Sequence, residues 1–281
     1  MDALGGPGED GVNHGVELRA EGVGHRFAPT QTPVLQDISF HIDRGEIVSI
    51  VGASGSGKTT FLRVLAGLVQ PTTGSVRLGE TNVTGVADMT RAMVFQSDRL
   101  FPWRTAIQNV TFGLEVRGTK RSVARGRAQD ALQLVGLGHA GQAYPGELSG
   151  GMRQRVNVAR ALVVDPEFLL MDEPFAALDA QTREIMQAEL LRILGETSVG
   201  VVFVTHQIEE ALYLSDRVVV FGANPGHIRD EVRVPFDRPR PLGIKREARF
   251  QDLYDHIWRE IEADVLAGVA SEQQSAAQAA H

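Results

Sequence analysis

The apolar residues of this chain follow two periods, one typical of buried strands and one typical of helices packed against them. Short runs rich in Val, Ile, Leu and Phe occupy residues 47–51, 168–171, 199–204 and 218–221. Apolar residues at helical spacing lie between these runs, for example in 156–162. Strands that alternate with helices predict an α/β fold built on a parallel sheet.

Three further segments have patterns of their own. Residues 16–42 carry short β-like runs broken by Pro29 and Pro33, which predict antiparallel strands beside the main sheet. Residues 122–137 have apolar positions at helical spacing and predict a structural helix. Near the other end, an amphipathic helix is marked by Phe250, Leu253, Ile257, Ile261 and Val265.

Both ends of the chain differ from the rest in composition. Residues 1–15 are acidic and glycine-rich, without the basic segment and apolar core of a secretory signal. Residues 269–281 are rich in Ala, Gln and Ser. We expect both segments to be disordered, because neither carries enough apolar surface to offset the entropy of ordering.

One glycine-rich stretch is typical of a phosphate-binding loop. The sequence GASGSGKTT has the spacing G-x-x-x-x-G-K-T and lies between a strand-like run and a helical pattern. Its glycines let backbone N–H groups turn toward phosphate oxygens, and the helix that follows directs its positive end at the same anion. Lys58 adds a charge for the β- and γ-phosphates, and the Thr59 hydroxyl suits Mg²⁺. The predicted loop consists of Gly52, Ala53, Ser54, Gly55, Ser56, Gly57, Lys58, Thr59 and Thr60.

Polar side chains end three of the predicted strands, at the edge where α/β sheets meet their ligands. Asp172 and Glu173 directly follow one apolar run. Their chemistry divides between a Mg²⁺ ligand beside Thr59 and a group that activates the attacking water. Gln96 follows a further strand-like run at 93–95, and His206 follows the run 199–204 after Thr205. Such residues are often only solvated, but their shared position predicts a common site.

A second glycine-opened helix start lies at Ser149, Gly150 and Gly151, before an amphipathic run. Ser149 can cap that helix or donate to a phosphate. The chain therefore has two helix starts suited to an anion but only one lysine loop.

Two aromatic features leave alternatives open. Phe27 either stacks on an adenine base or belongs to the core, since stacking asks only for an exposed ring. Leu100, Phe101 and Trp103 make a predicted loop unusually apolar. They form either a partner surface or the buried start of a helix.

Composition excludes several classes of protein. The 281 residues are 43% hydrophobic and 22% charged and include no cysteine, so there is neither a disulfide framework nor a thiolate metal site. No apolar run approaches the ~18 residues needed to cross a bilayer. The net charge of -7 argues against nucleic acid as a partner, because nonspecific binding needs clustered Lys and Arg.

Taken together, these motifs resemble the ATP-binding subunit of an ABC transporter in order and spacing. The resemblance covers about residues 16–221 and rests on GASGSGKT, Gln96, LSGGM, FLLMDEP, the ALD of 177–179 and His206. It implies an α/β P-loop NTPase core with an antiparallel β subdomain, a helical signature subdomain and a short C-terminal helical extension. It also implies a Walker A loop at 52–60, a Q-loop and Mg²⁺ ligand at Gln96, a signature at 148–152, a Walker B aspartate at Asp172, a catalytic base at Glu173, a D-loop at Asp179, a switch histidine at His206 and an adenine-stacking residue at Phe27.

A narrower likeness points to importers. FQSDRLFPWRTAIQNVTFGLEVRG, LSGGMRQRVNVARAL and the late Arg-Pro-Arg-Pro segment are similar to the importer ATPases for nitrate, sulfonates and taurine. Importers for pyrimidine-type solutes share much of this pattern. Met152 stands where the signature often has glutamine, and Phe27 where tyrosine is frequent, but neither departure removes a phosphate ligand.

The resemblance implies ligands, partners and boundaries. ATP and Mg²⁺ are the expected ligands, and a second copy of the chain, integral membrane permease subunits and indirectly a solute-binding protein are the expected partners. Two copies would close head to tail over two ATP molecules on the cytoplasmic face of the inner membrane, to which the chain would be peripheral. The expected divisions are a leader at 1–15, an ATPase domain at 16–222 with its helical subdomain at about 97–165, an extension at 223–268 and a tail at 269–281.

Two rival classes fit less of the sequence. A soluble ABC-type ATPase that acts on nucleic acid or as an assembly scaffold often carries two cassettes, a long coiled coil or a basic face. This chain has one P-loop, no sustained heptads and negative charge. A GTPase or small-molecule kinase would leave LSGGM and His206 without a role, and the guanine motif Asn-Lys-x-Asp does not occur.

Overall fold

The computed structural model of the chain describes residues 16–97 and 99–279, so the predicted leader at 1–15 lies outside the described residues. The strands are β1 Glu17–His25, β2 Leu35–Asp43, β3 Ile47–Gly52, β4 Thr73–Leu78, β5 Thr81–Asn82, β6 Arg91–Val94, β7 Phe168–Asp172, β8 Gly200–Val204, β9 Arg217–Gly222 and β10 His227–Arg233. The α-helices are α1 Lys58–Leu65, α2 Ala106–Val116, α3 Arg121–Leu134, α4 Gly150–Leu162, α5 Ala180–Gly195, α6 Ile208–Leu214 and α7 Ala248–Ala279. Short 3-10 helices cover Gly138–Ala140, Pro145–Glu147 and Leu242–Arg246.

A six-stranded sheet of order β10-β9-β3-β8-β7-β6 forms the centre of the fold. Its strands run parallel except for β10, which is antiparallel to β9. Every residue of β3, β7, β8 and β9 is buried, as expected for parallel strands covered on both faces. The predicted α/β fold is confirmed. The carboxyl ends of β3, β6, β7 and β8 lie along one edge of this sheet.

A second sheet, of order β2-β1-β4-β5, is antiparallel as predicted. It packs on α1 and the central sheet through three phenylalanines. The ring centroids of Phe40 and Phe61 are 5.6 Å apart, and those of Phe61 and Phe221 are also 5.6 Å apart. This core fixes the helix that follows the phosphate loop between the two sheets.

Helices α2, α3 and α4 pack against one another between β6 and β7 along the chain. Leu114, Leu132 and Val156, one from each helix, are fully buried in a shared core. The apolar spacing that predicted helices here therefore marks their inward faces.

The chain after β9 returns to the central sheet through β10 and α7. Phe250, Ile257 and Ile261 of α7 are buried, as predicted for an amphipathic helix. α7 extends to Ala279, into the segment from residue 269 for which the composition predicts disorder. Ala and Gln are favourable in helices, so a composition that lacks core residues still permits the helix to continue. None of the helices in the described residues has both the length and the apolar character to cross a membrane.

Candidate nucleotide site

The glycine-rich loop connects β3 to α1 at the carboxyl edge of the central sheet. β3 ends at Gly52, and Gly57 caps α1 with a left-handed backbone at φ 90°. A Cβ on Gly57 would lie 2.6 Å from Leu35 Cδ2, and one on Gly52 would lie 2.5 Å from the Phe221 carbonyl oxygen. The backbone therefore passes too close to its neighbours for a side chain at either position.

Lys58 is directed into this loop from the first turn of α1. Its Nζ donates to the carbonyl oxygens of Gly52 and Ala53, at 2.9 and 2.7 Å, and to Ser56 Oγ at 3.2 Å. Only 6% of Lys58 is exposed, and this burial lowers its pKa while two nearby carboxylates oppose the shift. A buried ammonium that bonds only neutral oxygens is suited to meet an anion.

The adjacent carboxylates after β7 have different surroundings. Asp172 accepts a hydrogen bond from Thr59 Oγ1 at 2.8 Å. Burial raises the pKa of Asp172, and the Thr59 hydrogen bond opposes that shift. Glu173 has a left-handed backbone at φ 44°, which is strained for a residue other than glycine, and its N–H donates to the Val204 carbonyl oxygen at 2.9 Å. The structure thus brings Asp172 into contact with Thr59, whereas the Glu173 carboxylate contacts other side chains.

Gln96 and His206 both contact the Glu173 carboxylate. Gln96 Nε2 donates to Glu173 Oε2 at 3.2 Å, and His206 Nδ1 lies 3.3 Å from the same oxygen. The His206 side chain is 55% exposed and so remains accessible to a ligand. Side chains that follow β6, β7 and β8 therefore meet at one oxygen, as the sequence predicted from their positions.

An open cleft joins the loop to the catalytic candidates. Ala53 and Ser56 are buried under the loop, where their oxygens hold Lys58. The cleft is lined by Val34, Ser54, Gly55, Gly57, Lys58, Thr59, Thr60, Glu173 and His206.

The second helix start lies outside the lining of this cleft. Ser149 caps α4, and its Oγ accepts a hydrogen bond from the Met152 N–H at 3.2 Å. Ser149 and Gly150 are exposed, and a Cβ on Gly150 would make only an ordinary contact, 3.6 Å from Leu178 Cδ2. Among the residues that line the described cleft, none comes from 149–151. Within one chain, the structure does not bring this turn to the lysine loop.

Asp179 caps α5 next to that turn. Its carboxylate accepts from the Thr182 N–H at 3.0 Å, and this backbone bond lowers the pKa of Asp179. A Cβ on Gly151 would lie 3.3 Å from Thr182 Cγ2, so the two capped turns are neighbours. Asp179 also lies outside the lining of the described cleft.

Phe27 follows β1 and is 64% exposed, which rules out the core alternative. Its ring packs edge to face with His25, at 4.9 Å between centroids and 89° between planes. An exposed ring held by such a contact has a free surface on which a base can stack.

Sequence reasoning missed two residues that support the loop. The Val34 carbonyl oxygen accepts a hydrogen bond from the Gly226 N–H at 2.9 Å, and a Cβ on Gly226 would lie 2.2 Å from the Ser56 carbonyl oxygen. The first turn after β9 therefore lies directly behind the phosphate loop. A Pro-Gly pair at 225–226 signals a turn, but no local pattern relates it to residue 56.

The residues present fit a nucleoside triphosphate with Mg²⁺. The loop offers amides and one ammonium for phosphate oxygens, and Thr59 with Asp172 offers two oxygens to a cation that prefers oxygen ligands. In the described part of the chain, no group of three or more His, Cys, Asp or Glu side chains forms a metal site. Glu173 is a carboxylate within reach of the same cleft and can accept a proton from water. The arrangement can hydrolyse a phosphoanhydride bond.

Comparisons with known proteins agree with this chemistry. A family model described as ABC transporter matches residues 35–176. The chain is 44% identical over 249 residues to the nitrate import ATP-binding protein NrtD of Synechocystis sp., covering 86% of this chain and 91% of that protein. It is 43% identical over 255 residues to the taurine import ATP-binding protein TauB of Chromobacterium violaceum, covering 89% of this chain and 96% of that protein.

Solved structures agree with the fold. The dimeric post-hydrolysis state of the ATP-binding cassette MJ0796, bound to ADP and Pi, matches with a TM-score of 0.67 at 30% identity, covering 78% of this chain and all of that one. The family match extends from β2 through the phosphate loop to the carboxylates after β7. The chain therefore belongs to the ABC transporter family of ATP-binding proteins and is an ATPase.

Proposed function

We propose that this chain is the ATP-hydrolysing subunit of an ABC importer, which drives uptake of nitrate, a sulfonate or taurine through a separate permease. The observation that carries its hydrolytic role is the meeting of Gln96 and His206 on Glu173, beside the Lys58 loop. The relatives that are named as nitrate and taurine import proteins support the importer.

Each residue of the cleft has a chemical task in this proposal. Lys58 exchanges its loop oxygens for β- and γ-phosphate oxygens, which meet the ammonium with full charge. Glu173 accepts a proton from the attacking water, and His206 steadies both that carboxylate and the γ-phosphate. Mg²⁺, held by Thr59, Asp172 and Gln96, would neutralise phosphate charge.

Two copies form the working unit, closed head to tail. Each site combines the 52–60 loop of one copy with Ser149, Gly150 and Gly151 of the other, and Asp179 reaches across the interface. The turn at Ser149 is exposed and lies outside the described cleft of its own chain, which supports this pairing. Two-fold symmetry completes both sites at once, and the dimeric cassette structure agrees with it.

The apolar stretch after β6 is the proposed docking surface for a short permease helix. Trp103 is 72% exposed, and its ring lies 5.6 Å from that of Phe101, which packs on Phe112 at 4.8 Å. The expectation that Leu100 shares this surface is wrong, because Leu100 is only 8% exposed and belongs to the core. An exposed tryptophan on a rigid aromatic base fits a protein partner.

The remaining expectations follow from this assembly. The chain sits peripherally on the cytoplasmic face of the inner membrane. A solute-binding protein delivers the solute to the permease. We assign residues 16–222 to the ATPase domain, about 97–165 to its helical subdomain and 223–268 to the extension.

Coexpression with the permease and binding protein of a nitrate, sulfonate or taurine importer tests the proposal. We expect the chain to copurify with the permease in membranes and to support ATP-dependent solute uptake in vesicles. Trp103→Glu should abolish copurification and uptake while the free subunit keeps its melting temperature and ATPase rate. Val86→Glu, at another exposed apolar residue, is the control and should retain uptake. The proposal would be contradicted if the chain copurified with none of these permeases but bound nucleic acid at physiological salt.

A further inference from the structure

Helix α5 holds two separate loops of the nucleotide site through one arginine. Arg183 Nη2 donates to the Leu178 carbonyl oxygen at 2.8 Å, and its Nε donates to the Phe175 carbonyl oxygen at 3.4 Å. Its Nη1 donates to Gln207 Oε1 at 3.1 Å. The first two acceptors belong to the segment that leads to Asp179. The third directly follows His206 in sequence.

One turn further along α5, Gln187 makes a second connection to the same loop. Gln187 Nε2 donates to Glu210 Oε1 at 2.9 Å, and Glu210 Oε2 accepts a hydrogen bond from Thr205 Oγ1. Thr205 Oγ1 accepts in turn from the Gln207 N–H at 3.0 Å. Gln187, Glu210 and Thr205 are each less than 5% exposed. Gln187 Oε1 is buried without a hydrogen-bond partner, so the connection runs through Gln187 Nε2 alone. Buried hydrogen bonds of this kind still fix the geometry of the groups that they join.

These contacts hold the residues on either side of His206 rather than His206 itself. Its neighbours on both sides, Thr205 and Gln207, are tied to α5 directly or through Glu210, whereas the His206 side chain is exposed and lies against Glu173. The position of His206 relative to Glu173 is therefore set by residues on a helix that is capped by Asp179.

We propose that Arg183 and Gln187 are positioning residues that hold the Asp179 turn and the His206 loop as one unit. A displacement of Asp179, which faces the partner copy in the dimer, would then move His206 at this chain's own cleft. The inference rests on the proposed function, because it assigns His206 and Asp179 their places in hydrolysis. It adds a physical link between the two ATP sites.

The shape of the arginine matters to this link. Its planar fork donates to three acceptors at once, whereas a lysine reaches fewer of them with one flexible ammonium. Removing the fork leaves the Leu178 carbonyl oxygen and Gln207 Oε1 without this donor, whereas the Phe175 carbonyl oxygen keeps the Leu178 N–H at 3.1 Å. We therefore expect Arg183→Lys to lie between wild type and Arg183→Met.

The test is a pair of double-mutant cycles on the full chain. Arg183→Met should lower kcat by about tenfold, within the range of coupled contacts, and change KM by less than about twofold. When His206→Ala or Asp179→Ala is already present, adding Arg183→Met should lower the remaining kcat by less than about twofold. Arg192→Met is the matched control, since Arg192 lies on the same helix but binds Glu189, Glu196 and Leu134, and it should change neither constant.

Hydrogen exchange provides a second readout. Arg183→Met and Gln187→Leu should each speed amide exchange in residues 205–211 while α1 keeps its protection. An equal tenfold loss in the His206→Ala or Asp179→Ala background would overturn the link, as would unchanged exchange in 205–211. If His206→Ala alone retained wild-type kcat, the proposed role of His206 would fail instead. If Arg183→Met does not fold, the same double-mutant cycles are measured with Arg183→Lys and Gln187→Leu.

Discussion

Two helix starts in this chain share the features of an anion site and differ in what surrounds them. α1 begins after a glycine-rich loop, and α4 begins after Ser149 and two glycines. At the first, Lys58 is buried and bonds three loop oxygens. At the second, Ser149 is exposed and its hydroxyl accepts only from the helix that it caps.

The two helix starts differ in the charged groups around them and in how far they are enclosed, rather than in helix geometry. The first start has an ammonium, a carboxylate and a histidine within one cleft of the same chain, and a second carboxylate accepts a hydrogen bond from Thr59. The second has a dipole and small residues but no catalytic group in its turn, and its neighbouring cation, Arg153, donates to the Leu148 carbonyl oxygen at 2.7 Å. A helix start of this kind binds phosphate well only when another surface supplies the rest of the site. We infer that the chain completes one half-site and offers the other half to a partner.

Lys58→Ala should have the largest effect, because it removes the only cation in the cleft lining of the described residues. We expect MgATP turnover to fall at least about 100-fold, or roughly 2.7 kcal/mol. The fold should survive, since an ammonium whose burial is unfavourable is being removed. Turnover assays and thermal unfolding check this, with Lys120→Ala, at an exposed lysine, as control. Turnover near the wild-type rate would refute the assignment of the loop.

Gly150→Asp should have the next largest effect and should separate the two helix starts. A Cβ at Gly150 meets nothing closer than 3.6 Å in its own chain, and a carboxylate at a helix start favours the fold. In the proposed dimer this side chain faces a partner's γ-phosphate, where the same charge would be repulsive. We expect turnover to fall by about 10- to 100-fold while ATP binding to the isolated chain is retained.

Gly126→Asp is the control for Gly150→Asp, because it places the same charge on α3 at a glycine with open space around it. It should leave turnover unchanged. Equal losses in both variants would point to a general effect of negative charge rather than to a shared site.

Phe27→Ala should weaken ATP binding without affecting the fold. The ring is exposed, so its removal opens no cavity, and a stacked base contributes roughly 1 to 3 kcal/mol. Isothermal titration with ATP and GTP measures the change. Affinities for both nucleotides that match wild type would remove Phe27 from the site.

Ser149→Ala should have the smallest effect, because it removes one cap from an exposed helix start. We expect a loss of about 1 kcal/mol in unfolding free energy, measured with urea. Ser149→Asn keeps a capping side chain and should lose less. In the proposed dimer the hydroxyl also contacts the partner's phosphate, so turnover should fall more in Ser149→Ala than this stability change explains. A stability loss without any change in turnover would assign Ser149 to capping alone.

Sequence alone predicts the parts of this site that rest on local pattern. The spacing of Gly52, Gly57 and Lys58 specifies a loop between strand and helix, and buried runs place Asp172 and His206 at strand ends. Because parallel strands end at one edge, these residues had to meet. The same reasoning predicts both sheets and the helices between them.

Other features depend on contacts that no local pattern encodes. Gly226 lies behind the phosphate loop, and Arg183 reaches from α5 to Gln207, yet each looks like an ordinary turn or surface residue in sequence. Leu100 lies in a segment without regular structure, but it is buried because it packs into the core beside the start of α2. The continuation of α7 shows that high helix propensity can outweigh a lack of apolar residues.

The central claim, that each ATP site is completed by a second copy, is tested most directly by light scattering of Glu173→Gln. This variant should bind MgATP without hydrolysing it and should therefore accumulate as a dimer, whereas its ADP form should be monomeric. Addition of Gly150→Asp should return the MgATP form to monomer. A Glu173→Gln monomer at saturating MgATP, well above the micromolar concentrations typical of weak association, would contradict the shared site.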